Sequence, residues 1–240
     1  GDDNFTYARA ALIKKERPSN TLFKLEEWGN HFDYKYAATS NDFEIFSDAV
    51  TCPWDSDNIL VQIGLTTKSI NKNFKSSNDL VFLIDISGSM YPRNKLPAFE
   101  KALAEAVDYM SPKDRITIIA YGDKTGLLLA PTLVKDGSEL KRFLTVGKGE
   151  IKPIKNAPID YATQVLRNGN SIAFNKKMIV VTDGDFSILK NEASKKLVKK
   201  NRDGGIYLSI LGMGMGSYKA PDMEQLVADR GGGRLSVVFA

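Results

Sequence analysis

The sequence contains one cysteine, Cys52, and one histidine, His31, in 240 residues. A lone cysteine excludes an internal disulfide and any cysteine-rich zinc cluster. A lone histidine, placed ahead of the apolar strand patterns and far in sequence from Asp85, takes the usual general base away from the centre of the chain. No stretch approaches the roughly 18 uninterrupted apolar residues that a membrane span needs, so no span is expected within the chain. Gly1 does not open a charged-then-apolar leader, and any secretion signal is expected to have been removed or never to have existed. An excess of one sign of charge is missing too. Lys and Arg number 33 against 29 Asp and Glu, and the resulting net charge of +4 does not imply a nucleic-acid partner. The basic cluster Lys195, Lys196, Lys199, Lys200 and Arg202 falls at spacings that fit the solvated face of a helix. Internal repeats and low-complexity segments are absent.

What is present is an ordinary globular balance, 42% hydrophobic and 26% charged, on a chain long enough to bury a substantial core. From Asp79 onward strand and helix patterns alternate, which predicts an α/β fold: a doubly wound, mostly parallel central sheet with helices on both faces. Leu80 to Ile84 is a continuous apolar run and reads as a strand covered on both faces. Helical spacing follows over Leu96 to Met110, then a strand over Arg115 to Tyr121 and an antiparallel edge strand over Thr125 to Pro131. Helices are predicted over Ser138 to Val146, Ala157 to Arg167, Asn191 to Asp203 and Pro221 to Arg230, and strands over Lys177 to Thr182, Ile206 to Leu211 and Arg234 to Phe239. The first part of the chain has a different texture. Asn4 to Lys15 suits a helix, Leu22 to Tyr36 is rich in aromatics, and Phe43 to Val50 and Asn58 to Thr67 suit two strands. With Asn71 to Asn78 as the linker, the expected division is residues 1–78 and residues 79–240.

The apolar strand ends in Asp85-Ile-Ser87-Gly-Ser89-Met90, which brings a carboxylate and two hydroxyls to one turn. Oxygen donors of this kind suit Mg²⁺, which wants near-octahedral ligation and keeps several waters. The pattern Asp-x-Ser-x-Ser resembles the metal-ion-dependent adhesion site of von Willebrand factor A domains. Asn30-His-Phe-Asp-Tyr-Lys-Tyr36, Cys52-Pro-Trp54 and Gln62-Ile-Gly-Leu65 look like the segment that precedes such a domain in one bacterial family. The resemblance implies residues 1–78 as the domain-associated segment and 79–240 as the A domain. It also implies metal ligation by Asp85, Ser87, Ser89 and, from the run Thr182-Asp183-Gly184, Asp183. The cofactor it implies is Mg²⁺, with Mn²⁺ or Ca²⁺ as alternatives.

One loop departs from the family pattern. Where the second metal loop should supply a threonine the chain has Ile151-Lys152-Pro153-Ile154-Lys155, and proline brings neither a hydroxyl nor an amide proton. Three readings stay open: water or Asn156 fills that position and a weaker metal site survives, the ammonium of Lys152 or Lys155 takes over the cation's electrostatic role between Asp85 and Asp183, or the two lysines simply point into water. Asp185 reads as an acid backing the metal ligands or as a cap for the next segment, and Tyr91, Arg93 and Lys95, which follow the metal loop, as the rim of the partner-contact face or as an ordinary surface turn. Gly212-Met-Gly-Met-Gly216 lies too late in the fold for a dinucleotide loop and lacks an acidic partner. The implied function is non-catalytic: adhesion or assembly through a protein partner, by way of an acidic side chain of that partner. The alternative is a metal-free structural subunit of a larger complex. Family resemblance places either one outside the cytoplasm, periplasmic, on the cell surface or lipid-anchored as a lipoprotein. An aspartyl-phosphate enzyme built on Asp85 is disfavoured, because Ser87 stands where a second acid would be needed.

Overall fold

The computed structural model describes residues 8–9, 11–18, 29, 31–37, 39–68, 77–136, 138, 140–141, 144, 150–169, 175–214, 223 and 225–238. Within them the chain divides into two compact units, Gly1–Lys75 and Ser76–Ala240. Most of the aromatic stretch from Leu22, much of the helix expected over Ser138 to Val146, and Gly216 with Pro221 lie outside the described residues.

In the first unit, residues 8–9 and 11–13 are helical, and β1 (Phe43–Thr51) pairs antiparallel with β2 (Ile59–Thr67). The register sets Ile45 opposite Leu65 and Ala49 opposite Val61, so Phe43, Ile45, Ile59, Val61, Ile63 and Leu65 share one face and are all exposed. The other face carries Phe46, on which the ring of Tyr36 stacks at 5.3 Å. Tyr36 also lies over Gly64, where any Cβ would overlap the ring, and its hydroxyl accepts a hydrogen bond from Gln62 Nε2 at 3.1 Å.

The second unit holds a six-stranded sheet in the order β5-β4-β3-β6-β7-β8: β3 (Asn78–Asp85), β4 (Arg115–Tyr121), β5 (Gly126–Leu133), β6 (Asn175–Thr182), β7 (Ile206–Met213) and β8 (Leu235–Val238). All pairings are parallel except that of β5 with β4 at the edge. Among the described residues the continuous α-helices are α1 (Leu96–Ala106), α2 (Pro158–Asn168) and α3 (Glu192–Asp203), and residues 138, 140–141 and 144 are helical too. Strand alternation distributes the core to both sides of the sheet. Val81, Leu83, Ile119 and Tyr121 pack with Ile159, Ala162 and Leu166 of α2 and Val198 of α3, whereas Phe82, Ile84, Ile116 and Ile118 pack with Leu96, Phe99 and Leu103 of α1. Helices thus cover both faces, as the apolar run of β3 requires.

Local signals explain the boundaries. Pro158 opens α2, where a missing amide proton costs nothing. The side chain of Asn191 caps α3 by accepting from Ser194 N at 2.7 Å, and Gly204 ends that helix. Two expectations need correction. The helix predicted to Met110 ends at Ala106 and tightens into a 3₁₀ turn over Val107–Tyr109. The helix predicted over Pro221 to Arg230 is α-helical at residues 223 and 225 and then widens into a π-helical turn over Leu226–Gly231, closed by Gly232 in the left-handed region.

One core residue is chemically out of place. Thr117 is fully buried in β4, and its hydroxyl has no hydrogen-bond partner among the described residues. Thr117→Val keeps the shape and removes the stranded hydroxyl, so stability should rise by about 1 kcal/mol. Chemical denaturation would show this as a higher midpoint at unchanged slope; a lower midpoint would mean that the hydroxyl is paired.

Candidate functional site at the carboxyl ends of the central strands

The chain leaves β3, adds β4 and β5 on one side, and crosses through α2 to place β6 on the other side of β3. Such a reversal opens a crevice beyond the carboxyl ends of the two strands. Asp85 ends β3, and Thr182 ends β6 just before Asp183.

Asp85 is fully buried, held at the floor of the crevice by donors from two directions. Ser87 N donates to its Oδ1 at 2.9 Å, and the Thr182 hydroxyl donates to its Oδ2 at 2.8 Å. The β3–β4 ladder runs one step past the strand through Ile86 N and Tyr121 O at 2.9 Å. Gly122, at φ +107, permits this closeness, since a Cβ there would sit 3.1 Å from both Asp85 Oδ1 and Ser87 N. The turn over Gly88–Met90 then lifts Ser87 and Ser89 above the carboxylate.

Above that floor three oxygen donors converge. The hydroxyls of Ser87 and Ser89 are 3.1 Å apart, and Ser89 donates to Asp183 Oδ1 at 3.1 Å. Neighbouring oxygens around an octahedral Mg²⁺, each about 2.1 Å from the ion, sit about 3 Å from one another. The spacing and the hard-oxygen chemistry of the set therefore fit Mg²⁺ or Mn²⁺. Ser89 is exposed and Ser87 and Asp183 are half-buried, so the cluster opens on one side. Among the described residues no group of three or more His, Cys, Asp or Glu could hold a metal, so a cation here would need the hydroxyls as well as the carboxylates.

The cation beside these acids is Lys95, which the sequence places on the rim with Tyr91 and Arg93 but does not reveal as the partner of Asp183. Its Nζ donates to Asp183 Oδ2 at 2.7 Å and to the Ser89 carbonyl at 3.0 Å. The ammonium is sheltered, with side-chain exposures of 19% for Lys95 and 11% for Asp183. Its stem runs along Gly214, at φ +59, where a Cβ would lie 3.2 Å from Lys95 Cε. One glycine of the Gly212-Met-Gly-Met-Gly216 run is thereby explained by close packing against a lysine, without any nucleotide.

The expected substitutes lie elsewhere. Lys152 bridges β5 through its backbone, with Leu127 N donating to Lys152 O at 2.8 Å and Lys152 N to Leu127 O at 2.9 Å. That bridge belongs to a short segment whose Lys152, Pro153, Lys155 and Asn156 are all exposed. Among the described residues no hydrogen bond or ion pair joins Lys152, Lys155 or Asn156 to Asp85 or Asp183. The apolar neighbours Ile151 and Ile154 pack onto opposite cores, which pins the backbone while the lysines face water.

Both oxygens of the Asp185 carboxylate are engaged by the segment that follows, accepting from Ser187 N at 2.9 Å and Ser187 Oγ at 3.1 Å. Its backbone serves the site: Asp185 N donates to Thr182 Oγ1 at 2.8 Å, and the Tyr121 hydroxyl donates to Asp185 O at 3.0 Å. Burial above all, with the nearby charges of Asp85, Asp185 and Asp183 adding to it, pushes the Tyr121 phenol well above its ordinary range and leaves it a neutral donor. Tyr91 and Arg93 are exposed on the turn after Met90.

Comparison with known proteins agrees with this geometry. Residues 80–185 match the von Willebrand factor type A domain. The chain is 26% identical over 249 aligned positions to the curated Escherichia coli (strain K12) protein YfbK; the match covers 98% of this chain but 43% of that protein, so the chain spans less than half of its relative. Among solved structures, the von Willebrand factor type A protein from Catenulispora acidiphila superposes with a TM-score of 0.54 at 19% identity, covering 87% of this chain and 48% of that one. An aerotolerance-related membrane protein from Bacteroides fragilis gives a TM-score of 0.51 at 21% identity, covering 68% of this chain and 92% of that one. At these identities the superpositions speak for the fold alone. The match over residues 80–185 runs from β3 to just past β6 and takes in both Asp85 and Asp183, so this part of the chain is similar to a von Willebrand factor type A domain.

Proposed function

We propose that the chain is a non-catalytic protein-binding module, used in adhesion or assembly, that works through the rim formed by Asp85, Ser87, Ser89 and Asp183. Von Willebrand factor A domains are commonly protein-interaction modules, and the match over residues 80–185 supports that class of function. The observation that carries the reading is the convergence of Ser87, Ser89 and Asp183 oxygens at 3.1 Å spacings over a buried Asp85. These residues would hold Mg²⁺ or Mn²⁺, with Asp85 fixing the loop from below. A cation held there supplies an open coordination position for an acidic side chain of the partner. Tyr91 and Arg93 supply flanking contact surface, since exposed aromatic and arginine side chains suit protein contacts.

No described helix is long and apolar enough to cross a membrane. We place the protein outside the cytoplasm, supported by the resemblance of the first unit to the segment that precedes bacterial A domains and by the fold shared with the Bacteroides fragilis membrane protein. Catalysis is disfavoured by the site's chemistry. Asp85 is enclosed by its donors, and Tyr121, held neutral and hydrogen-bonded, is not available as a base.

Calorimetric titration with Mn²⁺ tests the reading. Saturable binding is expected, weakened about 100-fold in Asp85→Ala, whose sheet should stay folded by circular dichroism. Flat traces for the unaltered protein would instead favour a metal-free structural subunit. A specific observation supports that second reading: Lys95 pairs with Asp183, the role that the metal-free alternative assigns to Lys152 or Lys155.

A further inference from the structure

We propose that Lys95 is a built-in counter-charge that sets how tightly this rim holds a divalent cation and couples that hold to an acidic group from the partner. The inference rests on the metal-assisted reading above and adds its regulation.

Three elements fix the lysine in place. It stands at the entry of α1, its stem follows the Cβ-free path beside Gly214 at the end of β7, and its ammonium is hydrogen-bonded to Asp183 Oδ2 and the Ser89 carbonyl. A lysine that merely solvates a surface has no need of a glycine beside its stem or of a half-buried carboxylate at its tip. The two oxygens of Asp183 divide their partners, with Oδ1 turned to Ser89 and Oδ2 to Lys95. The lysine therefore leaves the Ser87–Ser89–Asp183 Oδ1 cluster in place while withdrawing negative charge from it.

Charge counting gives the consequence. Without the lysine, two carboxylates balance a divalent ion and leave a neutral site. With it, a loaded site carries one surplus positive charge in a sheltered setting, where like charges repel more strongly than in water. The ion is then held weakly on its own, and an incoming carboxylate restores neutrality and tightens the hold. Such a site grips its metal and its partner together and releases them together.

The test compares Mn²⁺ affinity, by calorimetry and by electron paramagnetic resonance of the free ion, across a small set of variants. Lys95→Met keeps the stem against Gly214 and loses the charge; it should bind Mn²⁺ at least about tenfold tighter than the unaltered protein. Lys95→Arg should stay near the unaltered affinity, and Lys152→Met, altering an exposed lysine, should not change it. Asp183→Asn in the Lys95→Met background should abolish the tight binding, which assigns it to this rim. Acetate, compared with chloride at equal ionic strength, should strengthen Mn²⁺ binding by the unaltered protein more than by Lys95→Met. If Lys95→Met does not fold, Lys95→Gln serves in its place. Equal or weaker Mn²⁺ binding by Lys95→Met, where the unaltered protein binds the ion, overturns this inference and leaves the metal site standing. Equal enhancement by acetate overturns the coupling. Absence of Mn²⁺ binding in both proteins overturns the inference and the metal-assisted reading together.

Discussion

Arg115→Met should destabilise the protein by about 3–5 kcal/mol, because it strands a charge in the floor of the sheet. Asp79 is fully buried at the start of β3 and faces Arg115 directly across the β3–β4 register. Arg115 Nε donates to Asp79 Oδ1 at 3.0 Å, and its Nη2 donates to Oδ2 and, at 3.5 Å, to the Val165 carbonyl of α2. Gly169, at the end of α2, leaves room for the guanidinium, since a Cβ there would overlap Nη2. Removing the arginine leaves the carboxylate buried without its bidentate partner. The double variant Asp79→Asn with Arg115→Met should recover much of the loss, because burying a neutral amide costs far less than burying an unpaired ion. Urea denaturation of the three proteins measures both terms. A single variant within about 1 kcal/mol of the parent would mean that water reaches Asp79 once the arginine is gone.

Thr182→Val has the second large effect, and it falls on both stability and the rim. The hydroxyl donates to Asp85 Oδ2 at 2.8 Å while accepting from Gly184 N at 3.1 Å and Asp185 N at 2.8 Å. Valine keeps the branched shape and loses all three bonds, leaving a fully buried carboxylate with one donor fewer and the Asp183 loop without its anchor. We expect a stability loss of about 2–4 kcal/mol. Mn²⁺ affinity should fall about 10–100-fold, as when a supporting group behind a metal ligand is removed. Thr182→Ser restores the hydroxyl and should restore the affinity. Unchanged affinity in Thr182→Val would detach the rim from its buried support.

Much of this architecture can be read directly from residue order. The apolar run Leu80 to Ile84 is legible as a strand covered on both faces because a short continuous apolar run needs cover on both sides, and Val81 to Ile84 are indeed buried while Leu80 is half-buried. The meeting of Asp85 with the Asp183 loop follows from topology, since both sit at carboxyl ends of adjacent parallel strands. Lys95 is harder to see. Its place on the rim follows from its nearness to Ser89, but its pairing with Asp183 does not, and only the packing of β7 shows that Gly214 clears a path for its stem. The same holds for Thr182, whose hydroxyl matters because the parallel register brings it beside Asp85; a buried strand end shows only that it faces inward. The lysines of the 151–155 loop attracted attention by their nearness in sequence to the missing threonine. The side on which a short loop faces is decided by its apolar neighbours, here Ile151 and Ile154.

The Asp85–Thr182 hydrogen bond joins positions 97 residues apart, across two strands that become neighbours only after β4, β5 and α2 have been laid down and crossed over. Contacts of such long range form late, because closing a large loop must precede the reward for closing it. A nascent or partly refolded chain therefore has no working rim to offer. A partner docking at the rim proposed above would meet only finished molecules, and its capture would report on the completeness of the sheet beneath.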